Sequence, residues 1–134
     1  MTKLSMIESI GEAYEEKLKA VGVTSVEALL QVGSTKKGRT DLAEKADVPE
    51  KLILKWANHA DLARIKGIGA EYAELLEASG VDTVPELAQR KPDNLHARMV
   101  EVNESKKLVR KLPTAAQVAD WVAQAKDLPR VMHY

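Results

Sequence analysis

Apolar residues recur at three- and four-residue steps through most of the chain, the period of one-sided helices, and no alternating strand-type run of useful length breaks them. Ile7, Ile10, Tyr14, Leu18 and Val21 predict a first helix. Gly22 ends it, because glycine takes the left-handed C-terminal position without steric cost. Thr24 or Ser25 can cap a short second helix carrying Val26, Leu29 and Leu30, which Gly33 closes. Ser34-Thr35 opens a third segment, Lys36-Lys37-Gly38-Arg39 followed by Leu42, Ala43 and Ala46. Asp47-Val48-Pro49-Glu50 starts a fourth, with Pro49 in its first turn and Leu52, Ile53, Trp56, Ala57 and Ala60 on its apolar face. It runs through Leu62 to Ile65 and a Gly67-Ile68-Gly69 turn.

From there the plan repeats. A shift of 58 residues pairs Ile7 with Ile65, Ile10 with Ile68, Gly11 with Gly69, Tyr14 with Tyr72, Glu16 with Glu74 and Leu18 with Leu76. It also pairs Ala20 with Ala78, Gly22 with Gly80, Val23 with Val81, Val26 with Val84 and Leu29 with Leu87. Eleven identities over the 24 positions from Ile7 to Leu30, gathered on turns and apolar steps, mark an internal repeat. After Leu87 the copies drift. Pro92-Asp93 begins a helix through Leu95, Met99 and Val102, and Asn103-Glu104-Ser105 is expected to interrupt it before the basic run Lys106 to Lys111. Pro113-Thr114 starts a last helix with Val118, Trp121, Val122 and Ala125 inward, Trp121 standing at the place of Trp56 after a few inserted residues. Leu128-Pro129 ends it, and Val131 to Tyr134 reads as a loose tail. The expected fold is all-α, about eight helices in two similar four-helix halves, residues 1–62 and 63–134, packed as one compact unit.

Composition narrows the chemistry. Apolar residues make up 45% of the 134, with no Phe, so Leu, Val, Ile and Ala must fill the interior, which favours helices. Twenty Lys and Arg balance twenty Asp and Glu. A dedicated nucleic-acid binder is usually clearly basic, so any phosphate contact has to come from a local basic face. Without cysteine there is no disulfide, thiolate metal site or Cys nucleophile, which suits a reducing cytosol. No signal-type apolar core opens the chain, and no stretch approaches the ~20 apolar residues of a membrane span. A cytoplasmic protein with no membrane partner is expected.

Ile65-Lys66-Gly67-Ile68-Gly69 followed by a helix resembles the hairpin of helix-hairpin-helix proteins, many of which bind DNA without sequence preference. Over the whole chain, Pro92 to Asn103 with its Asn94-Leu95-His96-Ala97, Leu112-Pro113, and Asp120-Trp121 to Leu128-Pro129 look like a bacterial family of tandem helix-hairpin-helix-like proteins without an assigned function, and the expected halves are of helix-hairpin-helix or SAM-like type. The hairpin resemblance implies that Gly67, Ile68 and Gly69 bring backbone N–H groups up to a phosphate at the start of the following helix. In the DNA-binding families a basic residue usually follows the second glycine by about two positions, and here that place holds Glu71. The first copy departs further, with Ser9 for the first glycine and Glu12, Glu15 and Glu16 around its helix start. Only Arg64 and Lys66 lend the second hairpin positive charge.

Each candidate also has a plainer reading. Gly67 and Gly69 suit a tight turn between packed helices as well as phosphate contact. Lys36, Lys37 and Arg39 suit a solvated charged turn as well as an anion site. Lys106, Lys107, Arg110 and Lys111 would share one face if their stretch were helical, either solvated or meeting an anionic partner. Trp56 and Trp121 read as core, with Tyr14 and Tyr72 at its edge and their hydroxyls reaching water. His59, His96 and His133 lack metal-ligand spacing, and no acid–base pair, nucleophile elbow or P-loop is present, so neither an enzyme nor a cofactor is expected. The first expectation is a non-enzymatic interaction module that docks a protein partner or a second copy. The alternative is weak, sequence-independent DNA binding.

Overall fold

The computed structural model describes residues 2–134, and the described residues are entirely helical apart from turns and loops. Eight α-helices follow a 3-10 turn at Leu4–Met6: α1 Glu12–Ala20, α2 Val26–Gly33, α3 Lys36–Ala46, α4 Glu50–Leu62, α5 Ala70–Ala78, α6 Val84–Ala88, α7 Pro92–Lys106 and α8 Ala115–Asp127. None is long and apolar enough to cross a membrane. The chain divides into two compact units, one comprising the residues up to Asp61 with Val131–Tyr134, the other Leu62–Arg130.

In the first unit α3 packs on α2 and α1. Leu4, Ile7, Leu18, Leu29, Ile53 and Trp56 form the centre of its core. The first helix is shorter than the periodicity predicts. Ile7 and Ile10 lie in two successive tight turns, with Ile7 N–H donating to Leu4 O at 3.1 Å and Ile10 N–H to Ile7 O at 3.1 Å. A three-residue step keeps both side chains on the buried face as a helix would, so spacing alone could not separate the two forms. Gly11 is then the N-cap of α1. Side-chain caps fix the next two starts, Ser25 Oγ accepting from Ala28 N–H and Thr35 Oγ1 from Gly38 N–H, each at 3.1 Å. Gly33 ends α2 where a Cβ would stand 3.0 Å from that of Ala57, so the glycine lets α2 and α4 pack closely without displacing Ala57. Thr2 is tied to α2, its N–H donating to Glu27 Oε1 at 2.7 Å. That bond holds the Glu27 carboxyl below its ordinary pKa.

The segment Val131–Tyr134 is not a loose tail. Met132 is fully buried, His133 N–H donates to Ser34 O at 2.7 Å, and the Tyr134 hydroxyl donates to Asn58 Oδ1 at 3.0 Å. The cause is Arg39. Its Nη1 donates to Gly33 O at 2.8 Å and its Nη2 to His133 O at 2.9 Å, stapling the segment to the α2–α3 junction.

In the second unit α8 packs on α6 and α7, and α7 also on α5. Leu62, Ile65, Leu75, Leu76, Leu87 and Trp121 are fully or almost fully buried there. The opening turns recur at the same offset, Ile65 N–H donating to Leu62 O at 3.1 Å and Ile68 N–H to Ile65 O at 3.2 Å, with Gly69 as the N-cap of α5. The bounds of α5 are those of α1 moved by 58 residues, and α2 and α6 begin 58 apart. Gly22 and Gly80 both close their helices in the left-handed region, at φ +90° and +93°. Tyr14 meets Trp56, and Tyr72 meets Trp121, each pair with ring centroids 5.2 Å apart.

Asn103-Glu104-Ser105 does not interrupt α7, which runs unbroken to Lys106. The Asn103 side chain reaches forward instead: its Oδ1 accepts from Val109 N–H at 3.0 Å and its Nδ2 donates to Val109 O at 3.2 Å. Lys107, at φ 51°, turns the chain out of the helix. A capping box between Thr114 and Gln117 starts α8.

Candidate nucleic-acid interface

Local geometry sorts the sequence-predicted residues. Gly67 and Gly69 are exposed, whereas the Ile68 side chain is buried and its N–H is spent on Ile65 O. Ile68 therefore drops out of the expected set of phosphate donors. Gly67 has φ +100°, and a Cβ there would lie 2.9 Å from Trp121 Nε1, so backbone and packing both require glycine. Gly69 differs. With φ −99° and nothing within 4 Å of a Cβ, neither strain nor crowding demands it. It leaves the start of α5 without a side-chain cap, and the Gly67 and Gly69 N–H groups donate to no acceptor among the described residues.

Arg64 and Lys66 separate. The Arg64 guanidinium donates from Nη2 to Pro129 O at 2.7 Å, a bond within the fold. Lys66 keeps its side chain exposed while its peptide is clamped by Gln124, whose Oε1 accepts from Lys66 N–H at 2.9 Å and whose Nε2 donates to Lys66 O at 3.1 Å. The clamp fixes where the ammonium leaves the backbone.

Lys106, Lys107, Arg110 and Lys111 do not share a helical face, because α7 ends at Lys106 and the rest form a loop. All four are exposed, and none makes an ion pair with the described residues. The loop is pinned at three places. Asn103 grips both sides of the Val109 peptide, the Tyr72 hydroxyl donates to Lys111 O at 3.0 Å, and His96 Nε2 lies 2.9 Å from Pro113 O. Tyr72 belongs to the first turn of α5, three residues after Gly69. Its hydroxyl, expected to reach water, thus brings the basic loop beside the open start of that helix. Exposed Glu71 shares the turn and opposes an incoming anion there.

A family model described as "Domain of unknown function (DUF4332)" matches residues 8–128. The chain belongs to this family. Neither curated proteins nor solved structures provide a match.

For the DUF4332 domain the sequence pattern missed three positioning residues: Tyr72, Asn103 and Gln124. Tyr72 carried the one usable signal, its recurrence at the place of Tyr14. Lys36, Lys37 and Arg39 lie in the first unit. Lys36 and Lys37 are exposed, but Arg39 is 3% exposed and its guanidinium serves the fold, so the expected solvated turn does not include it.

Proposed function

We propose that the chain is a non-enzymatic helix-hairpin-helix module, with two similar SAM-like helical halves, whose second unit binds nucleic-acid phosphates weakly and without regard to sequence. The turns and helix starts that match at the 58-residue offset, with one Tyr–Trp pair in each unit, support the two-half description. The bond from Tyr72 to Lys111 carries the functional reading, since it joins a preorganised basic loop to the uncapped start of α5. Lys66, Lys107, Arg110 and Lys111 then supply charge while Gly67 and Gly69 offer backbone donors. Docking of a protein partner or a second copy ranks behind. Among the described residues Val32 and Tyr134 are the exposed large hydrophobics, which is little apolar area for an interface core.

Contact with about three phosphates gives a slope of log affinity against log salt of roughly −2 to −3, and micromolar binding at best at physiological salt. The test is a salt titration of duplex-DNA binding by the intact chain and by a Lys107→Gln/Arg110→Gln/Lys111→Gln variant. The slope should fall towards zero in the variant. A Gly69→Asp chain, which places a capping carboxylate on the open N–H groups, should stay folded and lose binding. No binding at low salt, or binding indifferent to both changes, would overturn the reading.

A further inference from the structure

The first unit contains a cavity of about 450 Å³ lined by Lys36, Arg39, Glu50, Lys51, Leu54 and Tyr134. That volume falls in the range of small-molecule sites. Its lining holds an unusual group. Arg39 is 3% exposed, yet its hydrogen bonds go to the carbonyls of Gly33 and His133, and no carboxylate among the described residues pairs with it. A guanidinium taken out of water without a counter-ion is costly, and an anion in the cavity would relieve that cost. Glu50, the lining carboxylate, already accepts from Thr40 Oγ1 at 2.9 Å. The first turn of α3 adds to the field, because it carries Lys36 and Lys37 and no acidic residue at the positive end of the helix dipole. Leu54 and the Tyr134 ring supply apolar wall, the ring centroid lying 5.6 Å from the Arg39 guanidinium carbon.

We propose that this cavity binds a small phosphate monoester with a flat apolar body. The phosphate sits between Lys36 and Lys51 over Arg39, and the body lies against Leu54 and Tyr134. Among the lining side chains three cations face one carboxylate, a positive excess that favours the roughly −2 charge of a phosphate monoester. This site goes beyond the nucleic-acid reading and shares no residue with the face that carries it.

Phenyl phosphate, adenosine monophosphate and inorganic phosphate, each titrated into the intact chain and followed by amide chemical shifts, test the proposal. Phenyl phosphate or the nucleotide should give saturable shifts around Lys36, Lys51 and Tyr134 with Kd below ~1 mM, and inorganic phosphate should bind at least about fivefold more weakly. Lys36 and Lys51 are exposed, so a Lys36→Gln/Lys51→Gln variant should keep its circular dichroism and lose about tenfold in affinity. The Lys107/Arg110/Lys111 variant should bind as the parent does, which separates failure here from failure of the nucleic-acid reading. Absence of saturable shifts up to about 10 mM, or equal affinity in the lysine variant, would overturn the site. Equal binding of inorganic phosphate would overturn the flat apolar body.

Discussion

Trp56 donates its indole N–H to Ser9 Oγ at 2.9 Å, anchoring a fully buried ring to the turn that precedes α1. At the 58-residue offset the place of Ser9 is taken by Gly67, and a Cβ there would stand 2.9 Å from Trp121 Nε1. Each unit thus sets a tryptophan ring against the same point of its turn. The first does so through a hydroxyl, the second by removing the side chain.

That difference makes the two positions non-interchangeable. Gly67→Ser forces a side chain into φ +100° and against the Trp121 ring, and should cost about 1–3 kcal/mol of stability. Ser9→Ala strips the partner from a buried N–H and should cost a comparable ~1–3 kcal/mol. Urea unfolding of both variants measures this. A Gly67→Ser chain as stable as the parent would sink the account of the second turn.

Arg39 should prove structural whatever the cavity binds. Arg39→Met keeps the length but leaves Gly33 O and His133 O without their donor, at a cost of about 2–4 kcal/mol. Arg39→Lys should recover only part of the loss, because an ammonium lacks the planar fork that spans two carbonyls. The local readout is the His133 amide, bonded to Ser34 O, whose hydrogen exchange should quicken in both variants.

Lys107 offers a case where stability and binding part company. Its φ of 51° is a conformation glycine takes without strain, so Lys107→Gly should raise stability by about 0.5–1 kcal/mol. The same change removes one cation from the loop and should make the salt slope of DNA binding shallower by about one. Thermal unfolding and the salt titration together check it. A stabilised variant with an unchanged slope would remove Lys107 from the interface.

Much of the helical plan was legible along the chain because its causes are local. Ser25, Thr35 and Thr114 cap the helices that follow them, and Gly22 and Gly80 end α1 and α5 for reasons contained in a few neighbouring residues. The recurrence at 58 residues was visible because the buried positions and their turns recur with it. The limits appeared where two local forms share a spacing, as at Ile7 and Ile10, or where a polar side chain has a choice of partners. Asn103 looks like a helix breaker by composition, yet it completes a loop six residues on.

The candidate site depended on contacts between distant parts of the chain. Tyr72 and Lys111 are 39 positions apart, Lys66 and Gln124 are 58, and Arg39 and His133 are 94. Such bonds form only after packing has set the distances, and nothing in either flanking segment encodes the partner. Residue order therefore carried the helices, their ends and the repeated core. Tertiary packing alone determined that the basic run becomes a pinned loop beside α5 and that Arg39 turns inward, because burial and hydrogen-bond partners belong to three-dimensional neighbours.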